Sequence, residues 1–291
     1  MVAIDADINQ HLAQALGHDG PPPTAMGADL SWLKEHLRGT NPRIPSTAAM
    51  VKTSPPGRGS RLLGLGPDDA VLRRFALETG GVRHLAAGAF DDSDIGVSCF
   101  HSKTGAVELY LNHLIDGPGE YVVVDMTAGA DAFASGLFTR FDLTVLVCEP
   151  TRRGVGVYRQ YAEYADGHGV ALRVLGNKVV DPTVDPVDVD YLHAQIGDAL
   201  LGWCTQSAWV RAAERGAPAP VAALEPVNLA ALDRVLDALD AQSRDWAAYH
   251  RNTVAFHLRN AHAWANASTG VDLTQQVDPT FRPGPVPAVL G

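Results

Sequence analysis

Four short apolar runs, each ending at polar or turn residues, most constrain the fold of this chain. They cover residues 2–4, 121–124, 143–148 and 171–175. Stretches with helical spacing, residues 130–141 and 152–165, lie between the last three runs. Strands that alternate with crossover helices form parallel sheets covered on both faces. We therefore predict an α/β fold, a three-layer, doubly wound and mostly parallel sheet.

The rest of the chain predicts further helices and a helical C-terminal region. Helices are expected at 9–16, 187–197 and 207–215, and a last strand at 199–203. Residues 39–66, rich in Pro, Gly, Ser and Arg, are expected to be a surface excursion. An amphipathic helix is marked by Leu229, Leu232, Val235, Leu236 and Leu239, and a second helix is expected around 246–264. The expected domains are 1–216 (α/β), 217–277 (helical extension) and 278–291 (extended tail).

Composition narrows the class of protein. The net charge of -10 argues against nucleic acid as the main partner. Three scattered cysteines, Cys99, Cys148 and Cys204, do not make a disulfide framework, so a reducing cytoplasm is the expected location. No run approaches the ~18 apolar residues of a membrane span.

Polar residues cluster where the predicted strands end, which is where parallel sheets bind ligands. Asp125 ends the strand at 121–124, and a loop with Gly129 then opens the next helix. In nucleotide hydrolases this arrangement places a carboxylate beside magnesium and a phosphate-sensing loop after it. An Asp that caps an ordinary βα turn is the alternative.

Asp5 and Asp7 also follow directly on a strand. Two carboxylates on one short turn suit magnesium-bound water or the positioning of an attacking water. The alternative for Asp7 is a cap on the helix expected at 9–16.

Two further strand ends carry candidate base-binding groups. Asn177 offers an amide for a purine edge, and the Lys178 stem could cover the base. Their alternative is a turn with a solvated lysine. Glu149 and Pro150 precede a helix whose first turn carries two arginines. Cations at a helix N-terminus oppose the helix dipole, which favours contact with an anion or a partner. The alternative is a first turn that is merely solvated.

Taken together, these segments resemble the MinD/ParA/CooC group of P-loop ATPases, up to about residue 203. VAIDADINQHLAQALG resembles the group's second strand and switch segment, VVVDMTAGADAFASGLFTRFDLTVLVCEP its Walker B strand and switch II, and LGNKV its adenine-contacting segment. Similarity is greatest to CooC-like members and to uncharacterised actinobacterial ATP-binding proteins.

The resemblance implies an ATP- and Mg²⁺-dependent homodimer that regulates an unidentified protein partner. Asp5 and Asp7 would lie at the end of the nucleotide site where magnesium and the attacking water bind, and Asp125 would hold magnesium. The nucleotide-binding residues would be Gly129, Glu149, Pro150, Asn177 and Lys178.

The group's phosphate-binding motif, G-x-x-x-x-G-K-[ST], does not occur in the sequence. We therefore expect no ATP hydrolysis by the chain as given, and an in-frame upstream segment that encodes the motif. A stop codon directly upstream would contradict this expectation. A non-catalytic module that binds a partner but no nucleotide is the alternative function.

A second possible site is Cys99-x-His101. In CooC-like proteins the comparable region carries Cys-x-Cys, and one pair from each subunit makes a metal site across the dimer. The resemblance therefore allows a zinc or nickel site and a metallochaperone. The alternative is that the two side chains merely share a strand face.

Overall fold

The computed structural model describes residues 1–89, 101–129, 132–133, 136–217 and 220–284, except for the side chains of residues 101 and 102. Contacts group the chain into two units. The first unit is Met1–Arg140 together with Asp245–Gly291, and the second is Phe141–Arg244.

Strands and helices alternate along most of the described chain. The strands are β1 (Val2–Ala6), β2 (Leu77–Thr79), β3 (Val82–Ala86), β4 (Val122–Met126), β5 (Thr144–Cys148), β6 (Leu172–Val179) and β7 (Leu200–Thr205). The α-helices are α1 (Leu12–Ala15), α2 (Leu30–Arg38), α3 (Ala70–Phe75), α4 (His101–His113), α5 (Arg152–Asp166), α6 (Val187–Ile196), α7 (Ala208–Ala213), α8 (Pro226–Asp240), α9 (Trp246–Asn260) and α10 (Asn266–Thr269). The 3₁₀ helices are Met26–Asp29, Gly136–Arg140, Gly197–Ala199, Val221–Ala223 and Leu273–Gln276, and the π-helix is Ala261–Ala265.

The sheet of the first unit has the strand order β2-β3-β1-β4. β1 is parallel to both β3 and β4, and all five of its residues are buried. β4 is the edge strand, and its Val123 is 50% exposed although it belongs to an apolar run. The sheet therefore ends, within the described residues, at an open apolar edge.

The β2–β3 hairpin was missed by the sequence analysis, although the sequence carries a signal for it. Gly80 and Gly81 join the two strands, and both have positive φ angles (58° and 80°). Two-residue hairpin turns of type I′ need φ above zero at both central positions, which favours Gly-Gly.

Helix α4 was also missed, because it is buried on all sides and has no amphipathic period. Its residues from 104 to 113 are buried, including the polar Glu108, Asn112 and His113. Burial lowers the pKa of His113 to about 4, so this side chain is neutral in the core.

The prediction of a surface excursion at 39–66 is wrong, because much of this segment packs in the core. Ser54 is fully buried, and its hydroxyl donates to Gln276 Oε1 at 2.8 Å. Thr53 Oγ1 lies 3.3 Å from His257 Nδ1, and Gln276 Nε2 donates to the Ala49 carbonyl at 2.6 Å. These distant side chains satisfy polar groups that would otherwise have required water.

The second unit contains a parallel sheet with the order β5-β6-β7. Helix α6 and the sheet share an apolar core that includes Val174, Leu192 and Ile196. β5 is an edge strand, and its Val147 is 58% exposed. This sheet, like the first, therefore has one edge where apolar side chains reach solvent.

The other edge, β7, is covered by helix α8. Asn228 Oδ1 accepts a hydrogen bond from Thr205 N at 2.8 Å, and Arg234 Nε donates to the Leu201 carbonyl at 2.8 Å. Edge strands expose unpaired backbone N–H and C=O groups, to which another strand can form hydrogen bonds. The side chains of α8 therefore close the β7 edge.

The predicted α/β class, with parallel sheets and C-terminal helices, is confirmed. The strands expected near 2–4, 121–124, 143–148, 171–175 and 199–203 are present with shifted ends. The helix expected at 130–141 differs, since its described part contains the 3₁₀ helix Gly136–Arg140. There the Thr139 hydroxyl donates to the Gly136 carbonyl at 2.8 Å. The domain division at 216 and 277 stays a prediction.

None of the helices in the described ranges has the length and apolarity needed to cross a membrane.

Candidate functional site

Asp5 and Asp125 lie side by side at the carboxyl ends of β1 and β4. The register of this parallel pair places Asp5 opposite Asp125. Residues opposite one another in a ladder point to the same face of the sheet. The structure thus brings together two acidic residues that are 120 positions apart in the sequence.

Asp5 is 1% exposed, and backbone groups occupy both of its carboxylate oxygens. Oδ2 accepts from Leu12 N at 2.9 Å and Oδ1 from Asp7 N at 3.3 Å. Burial raises the pKa of Asp5, and these two hydrogen bonds oppose the rise. Asp5 therefore holds the turn between β1 and α1 in place.

The alternative that Asp7 caps this helix is wrong. Helix α1 starts at Leu12, whose N–H is bound by Asp5, whereas Asp7 Oδ1 accepts from Ile8 N at 2.6 Å. Asp7 is partly exposed beside the turn.

Asp125 has a different environment from Asp5. It is exposed, and its carboxylate accepts no hydrogen bond from another described residue. Burial of part of the side chain raises its pKa, and the negative charges of Asp5 and Asp7 raise it further. A cation at Asp125 would relieve this repulsion.

The donor set fits magnesium better than a metal held by protein ligands alone. Within the described residues, no three or more His, Cys, Asp or Glu side chains are grouped so as to hold a metal ion. Magnesium commonly takes one or two carboxylates and fills its other positions with water and substrate phosphates. Asp125 is the carboxylate that could serve in this way.

His84 is a neighbour of this site that the sequence analysis missed. It is 2% exposed on β3, and neither ring nitrogen has a hydrogen-bond partner among the described residues. His84 pairs with Ala3, which places it on the same sheet face as Asp5. Burial lowers the pKa of His84, and the charge of Asp5 opposes this. Recognising strand 82–86 would have revealed this face.

The segment after β4 begins with a turn that contains a glycine in the left-handed conformation. Gly129 has a φ of 81°, a conformation that side chains with a Cβ rarely adopt. Thr127 Oγ1 donates to the Ala6 carbonyl at 3.5 Å, so the segment starts against the end of β1.

In the second unit, the structure brings Glu149 and Lys178 together. Lys178 Nζ lies 2.6 Å from Glu149 Oε1, and both side chains are about half exposed (60% and 48%). Asn177 Oδ1 accepts from Lys178 N at 3.0 Å. Pro150 follows Glu149, directly before the Thr151 cap of α5.

Lys178 also has a strained backbone, with a φ of 56° at an irregularity in the β6–β7 pairing. The left-handed conformation costs a non-glycine residue roughly 1–2 kcal/mol. Such strain is often found at binding sites.

The possible metal pair is not described by the structure. Cys99 lies outside the described residues, and His101 starts α4 with an undescribed side chain. Cys148 and Cys204 are free thiols, and burial raises the pKa of both. The zinc or nickel site stays a prediction.

Comparison with known proteins identifies CooC and proteins described as ATP-binding as relatives of this chain. No protein-family model matches the chain. The carbon monoxide dehydrogenase accessory protein CooC of Rhodospirillum rubrum is 27% identical over 194 residues, which cover 66% of this chain and 66% of CooC. An uncharacterised ATP-binding protein of Methanocaldococcus jannaschii is 25% identical over 150 residues, or 51% of this chain and 57% of that protein.

The fold is similar to that of a solved structure, apo McdA from Cyanthece. The match has a TM-score of 0.50 and 12% identity, and covers 82% of this chain and 86% of McdA. The chain spans less than two thirds of the length of the curated relatives that it matches.

Proposed function

We propose that this chain, a relative of MinD/ParA/CooC-type ATP-binding proteins, binds a magnesium nucleotide at the ends of β1 and β4. The observation that carries the proposal is Asp125, an exposed carboxylate without a partner among the described residues, whose pKa is raised by partial burial and by the charges of Asp5 and Asp7. A divalent cation balances this charge, and nucleotide phosphates complete its coordination.

Each predicted residue then has a role. Asp125 would hold Mg²⁺, which supplies charge neutralisation at the phosphates. Asp5 would fix the turn that presents Asp7, and Asp7 would orient the attacking water. The segment that begins at Gly129 would respond to the terminal phosphate.

The residues that we propose to bind the nucleotide base lie in the second unit. Glu149, Pro150, Asn177 and Lys178 lie at the ends of β5 and β6. Opening of the Glu149–Lys178 ion pair would free the lysine stem to cover a purine, while the Asn177 amide reads its edge.

The proposed biological role is a switch in the cytoplasm. Nucleotide binding would stabilise a homodimer, and hydrolysis would release a protein partner. Hydrolysis requires a phosphate-binding loop, and the G-x-x-x-x-G-K-[ST] motif does not occur in these 291 residues, so no hydrolysis is expected of them.

The test is nucleotide binding by the protein expressed from its complete reading frame. A fluorescent ATP analogue should bind in Mg²⁺ and only weakly in EDTA. Asp125→Asn should weaken Mg²⁺-dependent binding about 10- to 100-fold, because it removes one charge-assisted ligand worth roughly 1.5–3 kcal/mol. Asp19→Asn, at an exposed carboxylate elsewhere, is the matched control and should have no effect.

Sedimentation of the same protein measures the dimer. ATP should shift it from monomer to dimer, and Asp125→Asn should prevent the shift. Binding that is equal in Mg²⁺ and EDTA would contradict the proposal, and so would an unchanged affinity for the Asp125 variant.

A further inference from the structure

Helix α8 has an apolar face that is largely exposed at its centre. Its leucines recur with the spacing 3-4-3, the a and d positions of a heptad, at Leu229, Leu232, Leu236 and Leu239. Leu232 is 40% exposed and Leu236 is 52% exposed, while the two outer leucines are partly buried. We call these four residues the leucine ledge.

The ledge is distinct from the side of α8 that packs on β7. Asn228 (2% exposed) and Ala231 (fully buried) face the strand, and Asn228 bonds to Thr205. At 100° per residue, the ledge lies about a quarter turn round the helix from these two residues. The contact with β7 therefore fixes the helix and leaves the ledge open.

Acidic residues border the ledge on its solvent side. Asp233 lies four residues after Leu229 and three before Leu236, so it is their neighbour on the helix surface. Asp237 follows one turn later, and both aspartates are exposed. Arg234, the one basic residue in the α8 sequence, donates to Leu201 O instead.

We infer that the leucine ledge is a docking surface for a basic amphipathic helix of a partner protein. Leucines at the a and d positions of one helix pack against the a and d side chains of a second helix. Charged residues beside this apolar contact determine which partner helix binds. In a second copy of α8 the one basic residue, Arg234, is held at the Leu201 carbonyl, so pairing two copies would set aspartates against each other. A partner helix with an apolar face flanked by lysine or arginine complements both the leucines and the aspartates of α8.

The inference goes beyond the proposed function, because it requires no nucleotide. It is tested with the 291-residue chain in nucleotide-free buffer. The probe is a labelled synthetic helix with leucine at a and d and lysine at e and g, and the matched probe carries glutamate at e and g. Fluorescence anisotropy should show binding of the lysine peptide and at least tenfold weaker binding of the glutamate peptide.

Variants separate the ledge from general attraction to an acidic protein. Leu232→Ser with Leu236→Ser should weaken binding of the lysine peptide at least about tenfold. Val184→Ser with Val187→Ser is the control, since these valines are 79% and 60% exposed elsewhere in the second unit. Circular dichroism should show unchanged folding, because all four side chains lie at the surface.

The aspartates are tested in the same way. Asp233→Asn with Asp237→Asn should weaken binding about three- to tenfold at low salt and less at high salt. Asp166→Asn with Asp198→Asn makes the same charge change at exposed sites and should have less effect.

Three results would overturn the inference. The first is equal loss of peptide binding in the leucine and valine variants. The second is self-association of the chain, measured by sedimentation, that the leucine variant abolishes. The third is ledge-dependent binding to anionic lipid vesicles.

Discussion

Arg140→Leu should lower the free energy of unfolding by about 3–5 kcal/mol, since it removes two charge-assisted hydrogen bonds in the core. Arg140 is 3% exposed, and its Nε donates to Asn112 Oδ1 at 2.6 Å. Its Nη1 donates to Thr139 Oγ1 at 2.9 Å. The substitution leaves both acceptors in the core without these donors, and chemical denaturation of the purified chain measures the loss.

Two neighbours of Arg140 increase the cost. The guanidinium lies 5.3 Å from the ring centroid of Tyr249, whose hydroxyl donates to the Leu111 carbonyl at 2.5 Å. Glu108 is fully buried without a hydrogen-bond partner among the described residues, and burial raises its pKa, while Arg140 and Lys52 oppose the rise. Arg140→Leu removes one of the two cations that favour its charged form.

Glu108→Gln is the matched control. It keeps the size of the side chain and removes the buried acid, so it should cost far less than Arg140→Leu. The raised pKa of Glu108 means that wild-type stability falls as pH rises through and above the ordinary value of 4.5. This dependence should be weaker in Glu108→Gln. A loss below about 1 kcal/mol in Arg140→Leu would contradict the prediction, since ordinary surface substitutions cost about 0.5 kcal/mol or less.

Asn228→Ala should lower the free energy of unfolding by about 2–4 kcal/mol, because it opens the β7 edge. The 2% exposed Asn228 accepts from Thr205 N and donates to Glu225 Oε2 at 3.0 Å. Its Nδ2 also reaches the Thr205 carbonyl at 3.4 Å. The substitution leaves the Thr205 backbone groups at a sheet edge without these partners.

Hydrogen exchange of the Thr205 amide provides a local readout. This amide should exchange faster in Asn228→Ala, while the amides within β6 stay protected. Asp237→Ala, at an exposed position of the same helix, should change stability by about 0.5 kcal/mol or less. Unchanged exchange at Thr205 would show that α8 does not protect this edge.

Much of the fold could be predicted because its signals are local. A buried parallel strand needs a short apolar run, and β1, β4, β5 and β6 each have one. Helix α8 has a clear apolar stripe. Helix α4 and strand β3 lack an unambiguous period, so they could not be identified in this way.

The residues of the candidate site show the same difference between local and tertiary information. Asp5, Asp125 and Asn177 could be singled out because each follows an apolar run, and the structure places Asp5 opposite Asp125 in one ladder. His84 was missed because its strand was missed. The hydrogen bonds that the Asp5 carboxylate accepts from the backbone N–H groups of Leu12 and Asp7 could not be inferred, since they depend on the conformation of the turn.

The sequence by itself determined the strands and helices that carry a clear apolar run or stripe, such as β1, β4 and α8, since hydrophobic periodicity and turn residues act over a few positions. The tertiary structure alone decided which polar groups are buried and what satisfies them. Ser54 is hydrogen-bonded to Gln276 and Arg140 to Asn112, although the residues of each pair are far apart in the sequence. A buried polar group must be paired wherever its partner comes from, and only the folded chain brings those partners within bonding distance.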